Sequence, residues 1–266
     1  MTLTDPSPPI QKAQWKTVAI PSEHGGWSLT LEPVVLGLLV AWSFQSIVLG
    51  ICALTAFMAR TPLKTVLVDL WRKRWLIRSS FALKILLSEI ALIFVLAILV
   101  INTTESQLIW IPLTLAFPLV LIELFFSMRS RSRRLIPELA GTIGISSVVA
   151  LQVLSAGLSL SLAIGMWAVV SGRAIAALGY VRTQILKIHG RNAKNWHSDV
   201  AQIVALTVVL LTYVLAEVPT VSLILIGAIA LFNAFAVRRT ANKAKAIGLH
   251  QMTFGASVIL ATGLAV

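Results

Sequence analysis

Charged residues are scarce in this chain, and acidic residues are the scarcest. Only 12% of its 266 residues are charged, with 10 Asp and Glu against 22 Lys and Arg. An ordinary soluble domain carries about a quarter charged residues, so this composition excludes that class. The one cysteine, Cys52, lies within an apolar run, which excludes a disulfide framework and a cysteine-based metal site.

What the chain has instead is long apolar runs, and 58% of its residues are hydrophobic. A helix that crosses a hydrocarbon core of about 30 Å needs roughly 17 to 25 residues. Nine runs meet or approach that length, at about 28–44, 46–60, 80–101, 108–127, 138–155, 159–179, 199–217, 220–237 and 250–265. We expect an all-α, polytopic integral membrane protein with about nine transmembrane helices. These would form one domain over residues 21–266, behind an N-terminal tail over residues 1–20.

The positions of the basic residues support this count. All 22 Lys and Arg lie in the tail, in the connections after helices 2, 4, 6 and 8, or in the adjoining helix ends. Because such residues stay on the cytosolic side, we expect a cytosolic N-terminus and a C-terminus on the opposite side. The net charge of +12 then reflects topology, and we expect no nucleic-acid partner. Two cytosolic connections are predicted to be enlarged, at about 60–79 and 181–198.

Ionisable residues inside a predicted span are functional candidates, because burial there is expensive. The four that we select are Glu32, Glu89, Glu123 and Arg173. Each lies near the cytosolic end of its helix, so we expect one polar cavity that is open to the cytosol. The alternative is local: Glu123 could pair with Arg129 at its own helix end. Likewise, Glu138 could pair with Arg134, and Glu32 could reach toward the surface.

Several residues are candidates for binding an anionic head group in that cavity. Arg173 and Tyr180 are seven residues apart on one helix, so they can face the same space. A guanidinium beside a phenol suits a carboxylate or a phosphate. The enlarged connections add the basic residues Arg60, Lys64, Arg182 and Lys187. No histidine set has metal-ligand spacing, so we expect no histidine metal site.

The stretch Glu23-His24-Gly25-Gly26-Trp27 sets an acid, an imidazole and an indole at the mouth of the first span. We predict Glu23, His24 and Glu32 as acid or base groups, and Trp27 as part of the ligand site. The alternative is an interfacial anchor, with Trp27 in the aromatic belt of the membrane and His24 solvated.

Together with Glu32-Pro33 and Ala59-Arg60-Thr61-Pro62-Leu63-Lys64, that stretch resembles the YwiC-like membrane proteins, and the resemblance covers essentially the whole chain. The nine helices, with enlarged connections after helices 2 and 6, also resemble the UbiA superfamily of intramembrane prenyltransferases. That resemblance implies a helical bundle in which Asp-rich motifs hold Mg²⁺ against a prenyl diphosphate. This sequence has only Asp69 and Asp199 in those regions. The cofactor therefore stays unknown, and Mg²⁺ is the one that the resemblance implies.

Two classes of function follow. A divergent transferase would act on an isoprenoid-type or phosphate-bearing lipid, with basic residues in place of the metal. A non-enzymatic binder, carrier or assembly factor would hold a quinone, a pigment or a lipid. A small-molecule transporter is a third class, although no helix pair shows the repeated Gly- or Pro-broken pattern of many transporters. In the first two classes, the expected partner is a membrane lipid or an isoprenoid ligand.

Overall fold

A computed structural model describes residues 18–21, 24–129, 134–240 and 243–266. The described residues form nine α-helices and no strand, which confirms the all-α prediction. The helices are α1 His24–Val40, α2 Phe44–Trp71, α3 Ile77–Thr103, α4 Trp110–Met128, α5 Leu135–Ser155, α6 Leu160–Ile188, α7 Trp196–Leu215, α8 Thr220–Ala236 and α9 Ala244–Leu264. All but the last three residues of the predicted N-terminal tail lie outside the described residues.

Seven of these helices are long and apolar enough to cross a membrane, judged by length and composition. The other two, α1 and α8, are apolar but have 17 residues each, which is about 25 Å of helix. Large apolar side chains on peripheral α3 point outward, and Phe94 is 64% exposed. The chain is therefore a multi-pass integral membrane protein.

Two helices are longer than the sequence indicated. Helix α2 continues to Trp71 with Pro62 inside it, and α6 continues to Ile188. The predicted enlarged connections at about 60–79 and 181–198 are thus largely helical, and only residues 72–76 and 189–195 link the helices there. Proline usually ends a helix because it lacks an N–H and crowds the preceding turn. In α2, however, Pro62 is buried and the helix continues beyond it.

Helix α6 is the central element of the bundle and packs against α1, α5, α7, α8 and α9. Small residues let α7 approach closely. A Cβ at Gly172 would press on Val209, and a Cβ at Gly179 would overlap Ala201. Such small residues are typical of packed helices in membranes, where close backbone contact supplies the van der Waals attraction. Helix α3 lies at the periphery and packs mainly on α2.

Gln152 of α5 holds α1 and α2 together. Its Nε2 donates to the carbonyl oxygen of Ser46 at 2.9 Å and to that of Val34 at 3.4 Å. Gly37 leaves room for this side chain, since a Cβ there would overlap the Gln152 amide. One buried side chain thus joins α5 to two helices that lie 118 and 106 residues earlier in the chain.

Candidate functional site

A cavity of about 460 Å³ lies between α1, α2, α4 and α5, with Leu178 of α6 also in its wall. Its lining runs along α2 from Leu49 to Lys64. At 1.5 Å per residue, this is a length of roughly 22 Å. A volume of this size is typical of the pockets in which proteins bind small molecules.

The cavity is apolar along most of its length and polar at one end. The apolar part is lined by residues that include Leu49, Ala53, Leu113, Phe117, Val148 and Leu151. The polar end is lined by Arg60, Lys64, Glu123, Ser127, Glu138 and Thr142. Glu123 and Ser127 lie at the end of α4, Glu138 and Thr142 lie at the start of α5, and α2 passes beside them with Arg60 and Lys64. The wall therefore matches a molecule with a long apolar part and one polar head.

Ion pairs organise the polar end. The Nε of Arg60 lies 2.6 Å from Oε1 of Glu123, and their side chains are 35% and 17% exposed. The Nη1 of Arg182 lies 3.2 Å from Oε2 of Glu138. With Lys64, three cations and two carboxylates of the described residues meet here, and the sum of their formal charges is positive. A positive end in an apolar surrounding favours a negatively charged head group.

Two contacts shape the wall of the cavity. Gly141 of α5 lies against Glu123, and a Cβ at this position would overlap the carboxylate. On α1, Trp27 packs edge-on against the cavity residue Phe57, with ring centroids 5.0 Å apart. The indole Nε1 of Trp27 also donates to the carbonyl oxygen of Pro21 at 3.3 Å. Trp27 is thus placed behind the wall and positions Phe57.

A second ion pair is sealed inside the bundle, between α1, α6 and α9. The Nη2 of Arg173 lies 3.4 Å from Oε1 of Glu32, and the two side chains are 2% and 6% exposed. Ser28 donates its hydroxyl to the same carboxylate oxygen at 3.0 Å, and Arg173 also donates to the carbonyl oxygen of Gln251. Gly255 lets α9 reach this pair, since a Cβ there would overlap Glu32 and press on Arg173.

Buried amides continue from this pair across the bundle. The Nε2 of Gln251 donates to Oδ1 of Asn233, and Nδ2 of Asn233 donates to Oε1 of Gln202, each at 3.2 Å. Gln202 completes the chain by donating to the carbonyl oxygen of Ala176 at 2.9 Å. These bonds link α9, α8, α7 and α6 in one polar layer. None of these residues lines the cavity.

The predicted residues therefore divide between two places, and the expectation of one shared cavity is wrong. Arg60, Lys64 and Glu123 line its polar end. Arg182 bonds to the lining residue Glu138. Glu32 and Arg173 pair with each other instead. Glu123 and Glu138, for which partners on their own helix ends were the alternative, each pair with an arginine of another helix.

Three further candidates also lie outside the cavity lining. Tyr180 packs against Val237 and Ile247, and accepts a hydrogen bond from Nε2 of Gln184 at 3.2 Å. Lys187 donates to the carbonyl oxygen of Val237 at the end of α8. Glu89 lies on α3, and its buried Oε2 has no partner among the described residues. The candidates Glu23 and the side chain of His24 lie outside the described residues, so their roles stay predictions.

Glu138 and Gly141 also line the cavity, although the sequence analysis did not predict either as a site residue. Glu138, Gly141 and Thr142 lie three and four residues apart in α5, a spacing that puts them on one helix face. This spacing could have predicted Glu138 as a cavity residue. A single glycine in an apolar helix gives no indication that it lines a cavity.

The aspartates do not fit the magnesium site that the UbiA resemblance implies. Asp69 accepts hydrogen bonds from Arg74, Arg78 and Ser79. Asp199 is bound by both terminal nitrogens of Arg238 at 3.0 Å. Guanidinium groups thus occupy the oxygens that Mg²⁺ would need. Among the described residues, no three His, Cys, Asp or Glu side chains cluster as a metal site.

Comparison with known proteins places this chain in a family. A family model described as YwiC-like protein matches residues 20–153, which is half of the chain and includes every cavity-lining residue except Leu178. No curated protein and no solved structure matches the chain. The UbiA-like arrangement of the helices therefore stays a prediction. The family match, in agreement with the motifs around Trp27 and Lys64, shows that the chain belongs to the YwiC-like protein family.

Proposed function

We propose that this protein binds one amphiphilic lipid in the cavity between α1, α2, α4 and α5. The apolar chain of the lipid lies along α2, and a phosphate or carboxylate head group lies at Arg60 and Lys64. The observation that carries the proposal is the polarity of the lining, which is apolar over most of its roughly 22 Å and charged only at one end.

The polar end suits a phosphate or a carboxylate for an electrostatic reason. An anionic head group competes with Glu123 for the guanidinium of Arg60, and Lys64 adds a second positive charge beside it. Hydrogen bonds in which one partner is charged are about twice as strong as neutral ones, and an apolar surrounding strengthens them further. An anionic head group adds the attraction between opposite charges, which a neutral head group lacks.

The apolar part suits a branched chain of isoprenoid type. Small residues such as Ala53, Ala56 and Ala116 lie beside the large rings of Phe57 and Phe117 along the wall. This succession of small and large side chains leaves recesses, and a chain with regularly spaced methyl branches can fill them. Good filling of such recesses supplies the dispersion contacts that a straight chain leaves unmade.

Matched ligands test the head group and the chain separately. The purified protein, in detergent, is incubated with geranylgeranyl phosphate, geranylgeraniol or oleyl phosphate, and the bound molecules are counted by native mass spectrometry. Charged hydrogen bonds contribute about 1.5–3 kcal/mol, so we expect the phosphate to bind roughly 10- to 150-fold more tightly than the alcohol. Oleyl phosphate should bind more weakly than geranylgeranyl phosphate. Equal binding of phosphate and alcohol would contradict the head-group assignment.

A cavity-filling variant tests the location of the ligand. Ala56 lines the cavity, so Ala56→Phe should place its ring in the space of the chain and abolish retention of geranylgeranyl phosphate. Ala91→Phe is the matched control, because Ala91 is exposed on the peripheral helix α3 and lies outside the cavity lining. Retention by Ala56→Phe equal to that of the control would show that the lipid binds elsewhere.

A transferase acting on the head group is the second candidate, and the carboxylates of Glu123 and Glu138 favour it. Both line the polar end, where they are within reach of the head group as acid or base. Turnover separates the two functions: a transferase releases phosphate or diphosphate from a prenyl donor when an acceptor is present. A binder or carrier retains the donor unchanged.

A further inference from the structure

The short connection between α2 and α3 is fixed by a buried carboxylate. Asp69, in the last turn of α2, has no exposed surface. It accepts hydrogen bonds from the hydroxyl of Ser79 at 2.7 Å, from Nε of Arg74 at 3.3 Å and from Nη2 of Arg78 at 3.3 Å. The backbone N–H of Arg74 also donates to the carbonyl oxygen of Asp69 at 3.0 Å. The two arginines are therefore held in a defined position relative to each other.

Both arginines still present much of their charge to the surroundings. Their side chains are 45% and 50% exposed, although each is anchored at one nitrogen atom to Asp69. A guanidinium has five N–H donors, so anchoring through one nitrogen leaves donors for another acceptor. The neighbouring Arg72 and Lys73 are exposed as well. The connection thus carries four cations, and two of them are bonded to one buried carboxylate.

The dimensions of the helices place this connection at the membrane surface. Helices α2 and α3 have 28 and 27 residues, which is roughly 40 Å each against a hydrocarbon core of about 30 Å. Trp71 and Trp75 flank the connection and are 57% and 47% exposed. Tryptophans are enriched at the level of the lipid head groups. The apolar side chain of Ile77, 90% exposed, follows at the start of α3.

We propose that Arg74 and Arg78 form a docking site for one anionic phospholipid of the surrounding bilayer. Its phosphate is bound by the outward donors of the two guanidinium groups, and its acyl chains lie along the exposed apolar face of α3 that begins with Ile77 and Phe81. Arginine is well suited to phosphate because its planar fork of donors matches the phosphate oxygens. The N-terminus of α3 adds a partial positive charge at the same place.

This surface is distinct from the cavity, and it differs from a general accumulation of positive charge. Asp69 holds the two guanidinium groups in place and lowers the total charge of the connection by one. A site of defined geometry depends on that anchor, whereas unspecific attraction would strengthen without it. If lipid binding depends on fixed geometry, removing Asp69 should weaken it. If binding depends on total charge, removing Asp69 should strengthen it.

The test is a competition between two lipids for the full-length protein. The protein, in detergent, is incubated with phosphatidylglycerol and phosphatidylcholine that carry the same acyl chains, and native mass spectrometry counts each bound lipid. We expect the wild type to prefer phosphatidylglycerol, and Arg74→Gln/Arg78→Gln to lower that preference by about tenfold or more. Arg191→Gln/Lys194→Gln is the control, because it removes two exposed cations from the connection between α6 and α7. The control should keep the wild-type preference.

Two further variants separate geometry from charge. Arg74→Lys/Arg78→Lys keeps both charges but loses the planar forks, and Asp69→Asn removes one negative charge while it weakens the anchor. The proposal expects both variants to lose most of the preference for phosphatidylglycerol. A wild-type preference in the lysine variant, or a raised one in Asp69→Asn, would overturn it.

Folding is checked by size-exclusion chromatography and circular dichroism. If Asp69→Asn does not fold, the lysine variant decides the question alone. Ala56→Phe should leave the phosphatidylglycerol preference unchanged, so that a failure here and a failure of the proposed cavity ligand are seen separately.

Discussion

Two of the Glu–Arg pairs that join helices in this bundle differ in access rather than in chemistry. The pair of Arg60 with Glu123 lines the cavity, at 2.6 Å and with side chains 35% and 17% exposed. The pair of Arg173 with Glu32 is separated by 3.4 Å and is almost fully enclosed. A charged residue inside a membrane helix therefore does not by itself indicate a ligand site. The pair that lines a cavity can contact a ligand, and the enclosed pair cannot.

The enclosed pair is the more costly to disturb. Its two side chains are almost fully buried, and Nε and Nη1 of Arg173 have no hydrogen-bond partner among the described residues. Removing one member of such a pair leaves a buried charge uncompensated. The cavity pair is partly exposed, and half-exposed pairs contribute little to stability. We therefore expect the enclosed pair to support the fold and the cavity pair to respond to a ligand.

The largest effect is expected from Arg173→Ala, which leaves Glu32 buried without its cation. We expect a loss of about 3–5 kcal/mol in the free energy of unfolding. Reversible unfolding in detergent, followed by tryptophan fluorescence, measures it. The double variant Glu32→Ala/Arg173→Ala removes both charges and should recover part of the loss. A double variant less stable than Arg173→Ala would mean that the two charges do not compensate each other.

A smaller loss is expected from Gly255→Ala, whose methyl group would overlap Glu32 and press on Arg173. Overpacking of this kind costs about 1–3 kcal/mol. Gly248→Ala in the same helix is the control, because nothing lies within 4 Å of a Cβ there. Alanine is the better helix former by about 0.5–1 kcal/mol, so the control should be neutral or more stable. Equal thermal stability of the two variants would refute the tight contact of α9 with the pair.

The smallest effect on stability is expected from Gly141→Ala, which makes the corresponding change at the cavity pair. The added methyl group would overlap the carboxylate of Glu123, but that side chain lines an open cavity and can turn into it. We expect a change in unfolding free energy of less than about 1 kcal/mol. Retention of geranylgeranyl phosphate should fall several-fold, because the displaced carboxylate enters the head-group space.

Gly144→Ala is the control for that variant. Gly144 also lines the cavity, but a Cβ there would meet Leu119 at an ordinary distance of 3.6 Å and displace no carboxylate, so this variant should retain the ligand as the wild type does. If Gly141→Ala also retains the ligand fully, the head group does not lie beside Glu123.

The number of helices could be predicted because each apolar run had to cover its own membrane span. The ends of α2 and α6 could not be predicted in the same way. Arg60, Thr61 and Pro62 looked like the end of a span, yet the helix continues beyond them to Trp71. A helix that leaves the apolar core keeps its hydrogen bonds in any solvent, so polarity marks the membrane boundary and not the helix end.

The ion pairs could be predicted only in part. The sequence marked Glu32, Glu123 and Arg173 as costly to bury, and all three are paired in the structure. Their partners could not be read from spacing, since Glu32 and Arg173 are 141 residues apart. Sequence spacing predicts ion-pair partners only on the same helix or in the adjoining turn. In a helical bundle, the choice of partner is made by tertiary packing.

The side chain of Gln152 has a consequence for how the protein is made. It joins α5 to Ser46 at the start of α2, 106 residues earlier in the chain. At a synthesis rate of about 5–20 residues per second, Ser46 is made roughly 5 to 20 seconds before this side chain is available. The end of the cavity beside Leu49 and Leu151 is therefore completed only after more than half of the chain has been made. During that interval the growing chain exposes this end of the cavity to the lipids of the membrane into which it is inserted.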